Sequence, residues 1–416
     1  MKNLLLITLF INTLPFTQPV KKSAKTSSVA LNCDLGSQKL AQKKYAEAIK
    51  ELDKCLAVEK DNFLAYIDRG KAKLELNKND EALKDFSKAL QLNKDYFQAA
   101  VLMAQANEKM KKYKDAMENY STALKINPQN SESFVGRGLL FEQENKLEDA
   151  LKDFETVIAK NNNNYKAFWG KGKVLEKQNK SNEAIEQFHK AINITKIDPE
   201  VFYSRAKSYA KANKHKEAIV DFSKVIELKK QDEEVYIAKA KSCLTIGNTD
   251  ELIRDFSFPI DFKKSKNTEI YFLRAQAYFI KNDWGAAAKD YGKCITINPK
   301  LDAAYVERGK CYFLMGTAKF QLSWMDFTKA TLLNDKNEEA FFGAGKLSFE
   351  LNKFQEGVDY LSKAIALKNS GETYYLRSKC FYKLNKTKEC CSDLQKASQL
   401  GIKEAEKDSK TVCKSL

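Results

Sequence analysis

The sequence predicts an all-α solenoid of about eleven helix-turn-helix repeats, and three observations predict it. A pattern of small and large side chains returns every 34 residues, as from Ala82 to Ala116 to Ala150, a period that belongs to stacked helix pairs. Among 416 residues there are only 16 Gly and 6 Pro, against many Ala, Leu, Lys and Glu, a balance that favours helix over sheet. An Arg and an Asp also return together at fixed places in the same period.

The period is carried by three residue types. The Ala in the run 81–90 is matched by Ala48, Ala116, Ala150, Ala184, Ala218 and Ala287, with Leu252, Ser323, Gly357 and Cys390 in weaker copies. Four residues on stands a ring or Leu, among them Leu52, Phe86, Tyr120, Phe154, Phe188, Phe222, Tyr291 and Phe327. Twelve before the Ala stands a small residue, such as Gly36, Gly70, Gly138, Ala206 or Gly345. Small residues at facing places let two helices approach closely, and a ring one turn along the same face fills the space beside them. Pro128 and Pro299 stand where second helices should end. No such pair can bury its apolar face alone, so the pairs must stack.

The ladder joins Arg69 with Asp85, Arg137 with Asp153, Arg205 with Asp221, Arg274 with Asp290, Arg308 with Asp326 and Arg377 with Asp393, and Lys239 with Asp255. These read as partly buried bridges between the two helices of a repeat. Their work is register more than net stability, since desolvation offsets much of the attraction. Met103 with Asn119 and Ala344 with Tyr360 lack both partners, and Lys171 faces Gln187.

This pattern resembles the tetratricopeptide repeat family over about residues 29–400. The resemblance implies a right-handed superhelical array that binds a protein or peptide and performs no catalysis. In that architecture the first helices line a concave face, to which positions five, nine and twelve of each repeat should point. Position five is apolar or aromatic: Ile67, Val101, Val135, Trp169, Tyr203, Ile237, Phe272, Val306, Phe342, Tyr375. Position nine is mostly Lys, including Lys207, Lys241, Lys310, Lys346 and Lys379. Position twelve passes from Glu108, Glu142 and Glu176 to Phe279, Phe313, Phe349 and Tyr382. An open aromatic stripe marks a contact site, and Lys beside rings suits a partner with acidic and apolar side chains. The competing reading packs the rings between neighbouring helices and pairs Lys207, Lys241, Lys346 and Lys379 with Glu200, Glu234, Glu339 and Glu372 on their own helices.

Along the chain, residues 1–28 form a signal-like leader, 29–266 a first sub-array of about seven repeats, 267–400 a second of about four, and 401–416 a cap helix and tail. The apolar run 4–16 follows Lys2 and has the length of a signal core rather than a membrane span. The chain is therefore expected to be exported, periplasmic or secreted, with a membrane-anchored or cytoplasmic protein as the alternative. The joint at 258–267 follows from Pro259 inside an expected second helix, which should be kinked or short. A longer loop is expected at 316–321.

The formal charge of +16 invites an acidic partner. The Lys are spread among Glu and Asp without the dense clusters that nucleic-acid binding needs. An adaptor that contacts nucleic acid or anionic lipid through this basic surface is the alternative function, and membrane contact requires an uncleaved leader. His189 and His215 lack partners at metal-ligand spacing. Phosphate loops and nucleophile elbows are missing, so no enzyme, cofactor or metal is expected. Among nine Cys, Cys33 should lie opposite Cys55, Cys380 across from Cys390 and Cys391, and Cys294 near Cys311, leaving Cys243 or Cys413 unpaired. Cys in place of the small residue is the simpler alternative.

Overall fold

The computed structural model describes residues 24–228 and 232–413. The leader expected over 1–28 lies outside the described residues as far as position 23, and so does the end of the tail beyond 413. The described chain is eleven helix pairs and a closing helix, without a strand. The pairs are α1 (Ala24–Ala41) and α2 (Tyr45–Val58), α3 (Phe63–Glu75) and α4 (Asn79–Leu92), α5 (Phe97–Lys109) and α6 (Tyr113–Ile126), α7 (Ser131–Gln143) and α8 (Leu147–Lys160), α9 (Tyr165–Lys177) and α10 (Ser181–Thr195), and α11 (Pro199–Lys211) and α12 (His215–Glu227). They continue with α13 (Glu233–Thr245) and α14 (Thr249–Ser257), α15 (Thr268–Ile280) and α16 (Trp284–Ile297), α17 (Asp302–Leu314) and α18 (Phe320–Leu333), α19 (Glu338–Glu350) and α20 (Phe354–Leu367), and α21 (Gly371–Lys383) and α22 (Thr387–Gln399). The cap is α23 (Lys403–Val412). The residues group into two compact units, one ending at Val174 and the other beginning at Leu175, inside α9.

The repeat chemistry works as its residue types require. The Ala set from Ala48 to Ala287 is fully buried, and Phe86, Phe154, Phe188, Phe222, Phe256 and Tyr291 are the largest fully buried side chains. A methyl group added at Gly70 would lie 2.4 Å from the Phe86 ring, so only a residue without Cβ lets the pair close. The sequence reading missed a second small position. Gly136, Gly170 and Gly343 each face the ring of the preceding repeat, with a built Cβ 2.3–2.4 Å from Tyr120, Phe154 and Phe327. Each of these rings is thus wedged between its own repeat and the next.

Asn side chains start several first helices. Asn62, Asn130 and Asn337 accept from the backbone N–H groups of Ala65, Ser133 and Ala340, which satisfies a donor the helix leaves open. Each pair turns through one left-handed residue, mostly Asn, as at Asn77, Asn145, Asn213 and Asn352, because Asn tolerates that conformation better than other side chains.

The expected break at Pro259 is present. Helix α14 ends at Ser257, and a π-helical turn over Phe258–Phe262 replaces its last turns. The longer connection in the ninth repeat is a 3-10 turn, Thr317–Lys319, entered through Gly316 at φ 96°.

All seven bridges of the ladder form. Six are two-pronged Arg–Asp pairs at 2.7–3.0 Å, and Lys239 reaches Asp255 at 2.6 Å. Several also reach the preceding repeat: Arg69 donates to Asp53 (2.7 Å) and Arg137 to Ser121 (3.1 Å). Lys171, which has no acidic residue at the ladder position of its own repeat, pairs with Glu155 of the preceding repeat at 2.7 Å. The guanidinium groups of Arg137, Arg205, Arg308 and Arg377 lie between rings three residues before and four after, as Arg205 does between Phe202 and Tyr209 at 5.8 and 5.6 Å.

Two disulfides close the described ends. Cys33–Cys55 ties α1 to α2, as the spacing predicts. At the other end the expectation is corrected: Cys391 pairs with Cys413, not Cys380. Cys380 is buried beside Gly357, on the inward face of α21, whereas α23 brings Cys413 to Cys391. Cys294 and Cys311 do not pair, and with Cys243, Cys380 and Cys390 they make five buried thiols. Burial pushes Cys243, Cys294, Cys311 and Cys380 up to about 12, so they hold almost no thiolate at neutral pH. A chromogenic disulfide reagent is therefore expected to titrate essentially no thiol in the native protein, five after denaturation and nine after reduction. Rapid native reaction of even two thiols would contradict this burial.

Candidate functional site

Position five divides into two classes. Ile67, Val101, Val135, Ile237 and Val306 are buried, so at these repeats it packs inward rather than onto the open face. The physical reason is its neighbour at position eight, one turn on, which faces the core ring and draws that side of the helix inward.

Trp169 is half-buried in the first unit, with the Lys173 ammonium 5.0 Å from its ring centre. That ammonium also donates to the buried Glu142 carboxylate at 2.6 Å. The remaining residues of the expected face lie in the second unit. Tyr203 sets its ring edge-on against Phe222 at 5.9 Å and donates its hydroxyl to Glu234. Burial, then the Glu234 carboxylate, raises that phenol. Lys207 is exposed above the same ring at 5.4 Å. Lys241 pairs with Glu269 at 2.8 Å. Phe272 packs edge-on against Tyr291 at 5.1 Å. Tyr203 and Phe272 are thus partly core residues.

Farther on, the residues converge. Phe279, Lys310, Phe313, Phe342 and Lys346 line one cavity of about 270 Å³. Leu314, Phe327, Gly343 and Leu347 complete its apolar wall, and Glu339 joins it. Gly343 belongs to this wall because its missing Cβ lets the buried Phe327 ring pack directly against α19. Lys310 donates to Glu307 at 2.8 Å and pairs with Glu339 at 2.6 Å. Burial works against its charge, but these two carboxylates more than compensate and raise it. Lys346 lies 4.5 Å from the Phe313 ring centre. Phe349, Lys379 and Tyr382 line a second cavity of about 450 Å³ with Lys383, Leu394, Asp408 and Val412. Tyr375 stands beside it, donating to Asp408 at 2.9 Å under the Lys379 ammonium, which is 4.3 Å from the ring centre.

The Lys–Glu pairing differs from the expected form. Lys241 pairs with the second residue of the next repeat, Glu269, not with Glu234 on its own helix, and Lys310 likewise reaches Glu339 of the next repeat in addition to Glu307 on its own helix. Two turns of helix separate the expected partners, too far for a direct pair, while the adjacent first helix brings a carboxylate into reach. Among the described residues Lys346, Lys379 and Lys383 make no ion pair. His189 is used locally, its ring nitrogens against the Ile185 carbonyl (3.0 Å) and the Tyr209 hydroxyl (3.3 Å). Cys33 and Cys55 lie with Glu59 in a group of metal-ligating type, but their sulfurs are joined as a disulfide and are not thiolates. No described helix is long and apolar enough to cross a membrane.

Family models described as tetratricopeptide repeat match residues 73–134, 135–202, and 199–232 with 268–301. No curated protein sequence matches the chain. Among solved structures, yeast Tom70 is 18% identical, with 88% of this chain and 97% of that one covered and a TM-score of 0.38. Pseudomonas aeruginosa pilF is 18% identical over 51% of this chain and 97% of that one, with a TM-score of 0.45. YrrB, a TPR protein with an unusual peptide-binding site, is 21% identical over 45% and 97%, with a TM-score of 0.37.

Proposed function

Since the chain is a tetratricopeptide repeat protein, a protein-interaction scaffold by class, we propose that it is a non-enzymatic scaffold gripping a partner protein on the first-helix face of its C-terminal repeats, in an exported complex. The observation that carries this reading is the convergence of Phe279, Phe313 and Phe342 on one apolar cavity with Lys346 at its edge. A ring-lined cavity with a cation at the rim accepts a bulky apolar side chain next to an acidic one. Within the same unit, Tyr203, Lys207, Lys241, Phe272, Tyr375, Lys379 and Tyr382 belong to the same reading as flanking contacts. Export is supported by the signal-like run 4–16 and by two disulfides, which persist in oxidising compartments.

The test is crosslinking in native cells, wild type beside a Phe279→Ala, Phe313→Ala, Phe342→Ala variant, with circular dichroism confirming equal helicity. A partner captured by wild type should be lost from the variant. Capture that survives all three substitutions would falsify the binding reading. Recovery of the chain only from the cytosol, with the run 4–16 intact, would end the export reading.

A further inference from the structure

The two cavities are the same place in the repeat, met twice. Phe279 and Phe349 hold position twelve of the preceding repeat, and Lys310 and Lys379 hold position nine of the next. Phe313 and Tyr382 hold position twelve, and Phe327 and Leu394 hold the ring position of the second helix. The second cavity therefore lies two repeats beyond the first, on the same face of one compact unit. The near walls share these places, with Lys383 standing where the first cavity has Leu314, and the far walls come from different helices. Helix α19 closes the first with Phe342 and Leu347, and α23 closes the second with Asp408 and Val412.

Both mouths carry cations with charge to spare. Lys346 and Lys379 rest on ring faces, and Lys383 lines the second cavity. None of the three is ion-paired among the described residues. A ring holds an ammonium in place without neutralising it, so the charge stays available to a ligand carboxylate.

We infer that the two cavities are paired sockets for one extended acidic segment of a partner protein, whose two bulky apolar side chains stand about six residues apart, each beside Asp or Glu. This rests on the partner-binding reading above and specifies its ligand. Packed helices stand about 8–10 Å apart, so two repeats along this face span roughly 20 Å. An extended chain covers that distance in about six residues at ~3.3 Å each. The cavities have room for a side chain rather than for a helix about 10 Å across, so the backbone runs above them.

The probe is a displayed library of random peptides about fourteen residues long, enough to cross the span, selected on the intact disulfide-bonded protein. Enriched peptides should carry two Leu, Phe, Trp or Met anchors about six residues apart with acidic neighbours. Removing either anchor from a synthetic copy should weaken binding at least about tenfold, the gain that linkage supplies. Lys346→Glu and Tyr382→Ala, each removing one socket, should reduce the two-anchor peptide to the one-anchor affinity. Single-anchor or basic peptides, or an interval of about thirteen residues as a helix would give, overturn the paired sockets but leave partner binding standing. Identical enrichment on a Phe313→Ala, Lys346→Glu variant, or no enrichment, overturns both.

Discussion

Replacing Asp221 by Ala should lower stability by about 3–5 kcal/mol, the usual effect of leaving a buried charge without its partner. Arg205 donates through two nitrogens to both Asp221 oxygens at 2.7 Å, and the side chains are 12% and 5% exposed. Truncation strands the guanidinium between Phe202 and Tyr209, where among the described residues no carboxylate other than Asp221 pairs with it. The paired change Arg205→Leu with Asp221→Leu should recover most of the loss, because an apolar pair of similar size avoids desolvation altogether. Urea denaturation followed by circular dichroism separates the cases. If the single variant lost under about 1 kcal/mol, the value of an exposed pair, the bridge would have to be solvated in solution.

Phe222→Ala is expected to be about as severe, at roughly 3–5 kcal/mol, from lost transfer energy and the cavity left behind. The ring is 1% exposed, and the Tyr203 ring rests against it edge-on. Val220, two residues away on the same helix, is 67% exposed. Val220→Ala should change stability by no more than about 0.5 kcal/mol and serves as the control in the same denaturation series. Equal effects at the two positions would mean that the helix does not present the face described.

Both predictions rest on features visible in the sequence. Ala, ring and small residue recur where close packing needs them, and Asp follows Arg by sixteen residues at Arg205 and Asp221. Such spacings are legible because each depends on one helix pair only. What depended on neighbouring repeats was not. Lys310 was matched with no carboxylate across the repeat boundary, yet Glu339 of the next repeat holds it. Position five was assigned to the open face, yet Ile67 and Val306 are buried. The partner of Cys391 was sought within its own pair, while the cap helix supplied Cys413. The rings flanking four of the six Arg, such as Tyr305 and Tyr312 around Arg308, leave a plain signal three residues before and four after, outside the positions that the repeat pattern uses. The stripe of rings and Lys is legible as composition, but its division into two cavities depends on which first helices stand side by side.

The two end disulfides have a mechanical consequence. Each spans 22 residues, and a chain that length could otherwise pay out roughly 70–80 Å when drawn straight. Tension applied at the termini bypasses both loops through the sulfur bridge and enters the array at Cys55 and Cys391. The outermost helices, which in an unbridged array would peel first, are short-circuited. The first extension under load must then come from repeats in between, and reduction should lengthen the fully drawn chain by the two loops together.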